Sequence, residues 1–272
     1  MLRNVVLIAL SLLLCSAIYA ASPQHSSPSA EQVRVSPPGL RHADPPSLTA
    51  TPEELEARGD QLRSEKAYVD AVDYYRAAVN KSPKNARLYN KAGIAELMIQ
   101  RYHDASKDFD KAIKYDKTFA DAHNNLGVIR YEEKKFGKAV KEYEKAIQLR
   151  DDSASFYSNL GAAYYMQKQW EQATQAYGKA LQLDPEIFGR ISHNGVSAQL
   201  PSPEERAKFD YLVAKLYAKS GDPDRSLQFL RRCMEEGYKG IDDVYKDPEF
   251  AGLRNDARFG QLMASKPPAI PE

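Results

Sequence analysis

Residues 120–153 read ADAHNNLGVIRYEEKKFGKAVKEYEKAIQLRDDS, and residues 154–187 read ASFYSNLGAAYYMQKQWEQATQAYGKALQLDPEI. When the two stretches are aligned, a glycine, two alanines and a tyrosine fall in the same columns. The glycine column extends back through the chain at a constant spacing of 34 residues, at Gly59, Gly93, Gly127 and Gly161. A fixed period of this length is typical of a repeat array, in which each unit buries its apolar face against its neighbours.

Small and aromatic residues accompany each glycine at fixed distances. The alanine columns, twelve and nineteen residues after the glycines, are Ala71, Ala105, Ala139 and Ala173, and then Ala78, Ala112, Ala146 and Ala180. The aromatic columns, nine and sixteen residues after, are Tyr68, Tyr102, Phe136 and Trp170, and then Tyr75, Phe109, Tyr143 and Tyr177. Short polar turns separate the two halves of each unit, which predicts an antiparallel pair of helices. We expect each glycine to meet an alanine where the helices cross, and the aromatic rings to fill the space between hairpins.

These columns resemble the tetratricopeptide repeat (TPR), which has a 34-residue unit with small, aromatic and terminal proline positions. The residues that carry the resemblance are Leu126, Gly127, Ala139, Tyr143 and Ala146, and then Leu160, Gly161, Tyr164, Ala173, Tyr177, Ala180 and Pro185. It covers four units, residues 52–85, 86–119, 120–153 and 154–187. The resemblance implies an all-α fold, an α-solenoid of helix-turn-helix repeats that winds as a right-handed superhelix.

The two ends of the repeat block differ in character. Residues 1–20 combine Arg3, an apolar run and small residues near Ala20, which predicts a secretory signal peptide and a periplasmic or secreted protein. The apolar run is too short for a hydrocarbon core of about 30 Å, so we expect no stable membrane span. Lipid anchoring at Cys15 is disfavoured because Leu14 precedes it in place of a small residue. Residues 21–50, rich in serine and proline, are predicted to be a disordered tether.

After Pro185 the repeat register is lost. Residues 188–201 lack a helical period and are predicted to be an inserted loop. Ser202, Pro203 and Glu205 then predict a helix start, and residues 202–238 resemble a degenerate fifth hairpin. In that hairpin Ala214 takes the glycine column, while Ser226 and Cys233 take the alanine columns, so Cys233 is interpreted as a packing residue. Residues 239–272 are expected to form short capping helices and a tail.

Composition and motifs exclude several function classes. The chain has 38 Lys and Arg against 37 Asp and Glu, which argues against a nucleic-acid binder that works by bulk attraction to phosphate. No catalytic motif, metal-ligand spacing or cofactor loop is present, so we expect no enzyme activity, no metal and no cofactor. One alternative is an envelope enzyme or accessory subunit that uses His193 and the loop at 188–201.

The resemblance implies that a partner binds on the concave face, which in TPR proteins is lined by the first helix of each hairpin. Helical spacing identifies this stripe in the second, third and fourth units. The predicted groove residues are Arg87, Asn90, Lys91, Ile94, Leu97, Met98, Asn124, Asn125, Val128, Tyr131, Ser158, Asn159, Ala162, Tyr165 and Met166. Tyrosine and methionine suit the gripping of a peptide or helix.

Two details refine the expected partner. Asn125 and Asn159 resemble the ladder by which some TPR proteins hold a peptide backbone, and the alternative is local hydrogen bonding near a helix start. The carboxylate clamp of chaperone-binding relatives is incomplete, because Glu56 and Asp60 stand where that clamp needs basic and amide groups, which disfavours an acidic chaperone tail. The leading hypothesis is an exported adaptor or scaffold that binds a protein or peptide, in cell-envelope assembly or secretion. The alternative is a scaffold that assembles into a homo-oligomer.

Overall fold

A computed structural model describes residues 43–189 and 202–267 of the chain, and that part contains eleven α-helices and no β-strand. The helices are α1 (Pro52–Ser64), α2 (Tyr68–Lys81), α3 (Ala86–Met98), α4 (Tyr102–Tyr115), α5 (Ala120–Glu132), α6 (Phe136–Leu149), α7 (Ala154–Met166), α8 (Trp170–Leu183), α9 (Pro203–Ser220), α10 (Pro223–Glu235) and α11 (Ala257–Ser265). Consecutive helices pack in antiparallel pairs, α1 with α2 through α9 with α10. The predicted all-α solenoid of helical hairpins is therefore confirmed.

Some predicted segments fall outside the described residues. These are the signal peptide at 1–20, most of the tether, and the inserted loop from 190 to 201, including His193. The end of the predicted tether, at 43–50, is ordered, contrary to expectation. The hydroxyl of Tyr74 donates to the carbonyl of Asp44 at 3.0 Å, and Lys81 Nζ donates to the carbonyl of Leu48 at 2.7 Å. This segment is held because its backbone carbonyls meet side-chain donors of α2.

Each of the first four hairpins turns on a residue with a positive φ. These residues lie seven positions after the glycines, at Lys66, Gln100, Lys134 and Lys168, with φ between 58° and 62°. The amide that follows each of them donates to a carbonyl five residues earlier, as Lys135 N does to Arg130 O at 2.8 Å. This bond satisfies a carbonyl that the helix end leaves free, which offsets the cost of the left-handed backbone.

The glycine column allows an aromatic ring to approach the first helix. A Cβ atom on Gly127 would lie 2.5 Å from Cε1 of Tyr143, and the other three glycines have the same relation to the ring sixteen residues later. The atoms nearest to an added Cβ on each glycine therefore belong to the aromatic ring. The alanine columns are nevertheless fully buried, from Ala71 to Ala180. The small residues of the second helix bring it close enough for its aromatic ring to reach the glycine.

The fifth hairpin packs on the fourth through aromatic contacts. The rings of Tyr177, Phe188 and Phe209 form a mutual edge-on cluster with centroid distances of 5.2 to 5.7 Å. The hydroxyl of Tyr217 donates to the carbonyl of Pro185 at 2.8 Å. We call Tyr177, Phe188 and Phe209 the junction cluster, because it joins α8 to α9.

Inside the fifth hairpin, small residues occupy the crossing of α9 and α10. Ser226 donates from its hydroxyl to the carbonyl of Ala214 at 2.9 Å, and Cys233 is fully buried. After α10, 3-10 segments at Ile241–Tyr245, Pro248–Phe250 and Leu253–Asn255 lead into α11. Their buried side chains, such as Phe250, cover the apolar end of the fifth hairpin.

Candidate functional site

The first helices of neighbouring hairpins meet directly through polar side chains. Asn125 Nδ2 on α5 donates to Asn90 Oδ1 on α3 at 3.0 Å, and Asn159 Nδ2 on α7 donates to Asn124 Oδ1 on α5 at 3.0 Å. All four side chains are buried. Because an unpaired buried amide costs free energy, this pairing stabilises the contact between hairpins.

A column rule governs these contacts. In each case the residue two positions before a glycine donates to the residue three positions before the preceding glycine. The first and second hairpins follow the same rule with charges, because Lys91 Nζ lies 2.6 Å from Glu56 Oε1. We call these three contacts, Lys91 to Glu56, Asn125 to Asn90 and Asn159 to Asn124, the inter-repeat rungs. The asparagine column thus bonds hairpin to hairpin across 35 residues, which differs from local hydrogen bonding near a helix start, and its side chains are buried.

A group of charges lies between α1 and α3. We call the surface formed by the row of first helices, α1, α3, α5 and α7, the inner face. Besides its rung, Lys91 lies 2.5 Å from Asp60 Oδ2, and Arg87 lies 3.1 Å from Glu56 Oε2. The basic side chains of Arg87 and Lys91 are therefore neutralised by two carboxylates of the neighbouring helix. An acidic peptide at this position would have to displace carboxylates that are already in place.

The predicted gripping tyrosines are buried inside the array. Tyr131 and Tyr165 are only 4% and 3% exposed. Their rings pack edge-on against Phe136 and Trp170, each at a centroid distance of 5.1 Å. Burial raises the pKa of both phenols well above the ordinary value. Of the other predicted groove residues, Leu97, Val128 and Ala162 are also buried.

The accessible part of the predicted stripe is smaller and contains two methionines. Met98 is 43% exposed, and the side chain of Arg87 is 65% exposed. Ile94, Ser158 and Met166 are partly exposed. We call Ile94, Met98 and Met166 the methionine strip. It presents adaptable apolar surface on the first helices, above the inter-repeat rungs.

Buried ionic groups elsewhere in the array were not anticipated from the sequence. Arg76 on α2 donates to Asp108 Oδ1 on α4 at 2.7 Å and to Glu96 Oε1 on α3 at 2.6 Å. Burial raises the pKa of Glu96 to about 7, although the guanidinium opposes this shift. The sequence signal was Glu96 itself, which stands in the column where the fourth unit has Tyr164. The cluster links the first two hairpins, with both carboxylates buried and Arg76 partly exposed, so it has a structural role.

The fifth hairpin holds a second buried carboxylate. Asp210 is 1% exposed, and burial raises its pKa to about 7 although Arg232 Nε lies 3.1 Å from Oδ2. Burial also raises the pKa of the nearby Cys233 thiol to about 12. A thiol that stays protonated and buried is a poor nucleophile, which agrees with a packing role.

The described residues contain neither a metal-binding cluster nor a membrane-spanning helix. Across 43–189 and 202–267, no three or more His, Cys, Asp and Glu side chains are arranged to hold a metal ion. His123 Nδ1 is instead paired with Glu142 Oε2 at 2.8 Å. Of the helices described, none is both long and apolar enough to cross a bilayer.

Known proteins resemble this chain in its repeat region. A family model described as TPR repeat matches residues 129–168, and one described as Tetratricopeptide repeat matches residues 154–187. The Hsp70-Hsp90 organizing protein of Triticum aestivum is 27% identical over 67 residues, which is 25% of this chain and 12% of that protein. The chain thus spans about an eighth of this curated relative.

Solved structures with a similar course of the chain include two of MamA and one chaperone-related domain. A crystal structure of MamA is 20% identical with a TM-score of 0.47, covering 70% of this chain and 97% of that one. MamA 41-end from Desulfovibrio magneticus RS-1 is 18% identical with a TM-score of 0.49, covering 70% and 97%. The first TPR of Spaghetti (RPAP3), bound to HSP90 peptide SRMEEVD, is 19% identical with a TM-score of 0.38, covering 46% and 92%.

The family assignment rests on two independent observations. The family models match the third and fourth hairpins, and the same glycine-to-ring contact recurs in all four. Both the sequence columns and the packing that they produce are those of one repeated unit. Residues 129–187 of this chain match models of the tetratricopeptide repeat, and the four hairpins share one packing pattern.

Proposed function

We propose that this protein is an exported, non-catalytic adaptor or scaffold that binds a protein or peptide in cell-envelope assembly or secretion. The observation that carries the proposal is the methionine strip, in which Met98 is exposed and Ile94 and Met166 are partly exposed on the first helices. Flexible methionine surface can adapt to an apolar partner segment. The predicted signal peptide supports the export part of the proposal.

The charges on the inner face indicate which kind of partner segment suits this surface. One of the similar structures, the first TPR of Spaghetti (RPAP3), is bound to the HSP90 peptide SRMEEVD, in which three of the last four residues are acidic. Here Arg87 and Lys91 already engage Glu56 and Asp60. Since a carboxylate ligand would compete with these contacts, the inner face is better suited to an amphipathic segment with apolar anchors.

A test of this face needs variants at exposed side chains. Replacing Tyr131, Tyr165 or Asn159 would disturb buried packing, so a loss of binding would not distinguish contact from misfolding. Met98→Glu changes a side chain that is 43% exposed on α3, and Leu149→Glu changes one that is 40% exposed at the end of α6. The two variants introduce the same charge at matched exposure, and only the first lies on the inner face.

The experiment is capture of envelope proteins on the purified chain, followed by identification and measurement of affinity for the captured partner. We expect Met98→Glu to weaken binding about tenfold or more, as for a central interface residue, and Leu149→Glu to leave it within about twofold. Equal affinity for both variants and the unchanged chain would refute the assignment to the inner face.

The export part of the proposal has its own test. Expression of the full chain with a C-terminal tag, followed by fractionation and intact mass measurement, reports both the compartment and the mature N-terminus. We expect a species that begins at Ala21 outside the cytoplasm. A full-length species that stays in the cytoplasm would contradict export and leave the binding proposal standing.

A further inference from the structure

Exposed lysines cluster on the third hairpin, away from the row of first helices that carries the proposed function. Lys134 and Lys135 lie in the turn before α6, and Lys138, Lys141 and Lys145 follow along the exposed side of α6. Spacings of three and four residues place the three helical lysines on one face. We call these five residues the lysine stripe.

The carboxylates beside the lysine stripe are already engaged. Glu133 accepts hydrogen bonds from Arg130 at 3.0 Å and from Lys135 at 3.1 Å. Glu142 is paired with His123 at 2.8 Å and has Lys145 at 3.6 Å. Among the described residues, the members of the stripe without a carboxylate within salt-bridge distance are Lys134, Lys138 and Lys141. Because the whole chain carries a net charge of only +1, this excess of positive charge is local.

The hairpin fold itself does not require lysine at these positions. The residues equivalent to Lys138 in the other three hairpins are Asp70, Asp104 and Gln172, and those equivalent to Lys141 are Asp73, Lys107 and Gln175. The columns therefore accept acidic, neutral and basic side chains within the same architecture. The concentration of lysine in the third hairpin has no packing cause.

The lysines surround a shallow depression with an apolar floor. The depression has a volume of about 530 Å³, and its lining residues are Lys134, Lys135, Phe136, Gly137, Lys138, Lys141 and Gln167. The missing side chain of Gly137 keeps the space open, since a Cβ there would have only Gln167 Oε1 nearby, at 3.7 Å. No side chain caps the start of α6, so the positive end of its dipole adds to the field of the lysines.

We propose that the lysine stripe is a second docking surface, which binds an acidic segment of a partner protein. From Lys135, the residue before α6, to Lys145 the positive charge extends over about 15 Å, at 1.5 Å per helical residue. That length corresponds to about five residues of extended chain and exceeds the size of a single phosphate. Phe136 in the floor provides a contact for one apolar side chain among the acidic ones. A protein segment can combine several acidic side chains with an apolar one, which matches the lysines that lie around Phe136.

The test is fluorescence anisotropy with a labelled peptide of about eight residues, composed of glutamates with one central leucine. The test variant is Lys138→Glu with Lys141→Glu. The matched control is Lys107→Glu with Lys111→Glu, which makes the same charge change on α4 one hairpin earlier. We expect the peptide to bind the unchanged chain at low ionic strength and more weakly as salt rises. The test variant should lose about tenfold or more in affinity, and the control less than about twofold.

Three outcomes would overturn the proposal. They are no binding of the peptide at low ionic strength, an equal loss in both variants, and binding to vesicles that contain phosphatidylserine without binding to the peptide. The circular dichroism spectrum of each variant checks that the array stays folded, and all four substituted lysines are exposed. Because the stripe lies apart from Met98, failure here leaves the test of the inner face unaffected.

Discussion

The substitution Gly127→Ala tests the contact on which each hairpin is built. The added Cβ would lie 2.5, 2.6 and 3.1 Å from Cε1, Cδ1 and Cζ of Tyr143. An ordinary contact between carbon atoms is about 3.5 to 4.0 Å, so the ring would have to move by about 1 Å. Tyr143 is fully buried, and its neighbours leave little room for this movement.

The magnitude follows from two opposing terms. Alanine favours a helix over glycine by about 1 kcal/mol, whereas overpacking of a filled core costs about 1 to 3 kcal/mol or more. Because the ring is enclosed, we take the upper part of that range and expect a net loss of about 2 kcal/mol. Gly137→Ala on the next helix is the matched control. Its Cβ would meet only Gln167, at 3.7 Å, so we expect a gain of about 0.5 to 1 kcal/mol.

The assay is urea unfolding followed by circular dichroism, with both alanine variants compared to the unchanged chain. The two substitutions should shift the midpoint in opposite directions. In a background of Tyr143→Leu, which removes most of the ring, Gly127→Ala should cost less, with a coupling free energy of about 1 kcal/mol or more. A midpoint that rises in Gly127→Ala as it does in Gly137→Ala would refute the reasoning.

Three further predictions concern buried polar groups. The hydroxyl of Tyr143 is buried without a partner among the described residues, so Tyr143→Phe should leave the free energy of unfolding unchanged or raise it by up to about 1 kcal/mol. Asn125→Ala breaks a rung and leaves the Asn90 amide oxygen unpaired, so it should cost about 1 to 3 kcal/mol in the same assay; a cost below that of Ser158→Ala would contradict the rung. The folded-state pKa of Asp210, about 7, lies above its ordinary value of 3.8, so the folded protein binds this proton more tightly than the unfolded chain does. The stabilisation from this proton is complete below about pH 4 and is lost as the pH rises to 7. Asp210→Asn should therefore make the melting temperature depend less on pH across that window.

The hairpin architecture could be predicted because its cause is periodic. A spacing of 34 residues, with small and aromatic residues at fixed offsets, leaves few ways to bury the apolar faces other than stacking identical units. The start of α9 could also be predicted from the sequence. The hydroxyl of Ser202 accepts a hydrogen bond from the amide of Glu205 at 3.2 Å, as the cap pattern predicts. These signals are local, or they repeat at a fixed distance.

The residue that lies closest to each glycine could not be predicted from the sequence in the same way. Residues twelve, sixteen and nineteen positions after a glycine all lie on the same face of the second helix, so spacing alone does not say which one touches it. The way in which the two helices cross places the residue sixteen positions later against the glycine, as Tyr143 lies against Gly127. Only the relative placement of two helices carries this information.

The candidate site was predicted at the level of a face rather than of single side chains. Spacing identified residues on the first helices, but it did not tell which of them point to the neighbouring hairpin. Asn125 and Asn159 form inter-repeat rungs and Tyr131 is buried in the core, whereas Met98 stays exposed. The stacking distance between units determines this division, and one unit's sequence does not encode it. The assignment of Met98, Ile94 and Met166 to partner binding stays a prediction.

The junction cluster has a consequence for how the chain tolerates change. Phe188 belongs to the chain before residues 190–201, and Phe209 belongs to the chain after them, yet both rings pack on Tyr177. With the bond from Tyr217 to the carbonyl of Pro185, these contacts set the register of the fifth hairpin independently of the covalent connection. Insertions, deletions or a single peptide-bond cleavage between 190 and 201 should therefore leave the fifth hairpin seated on the fourth.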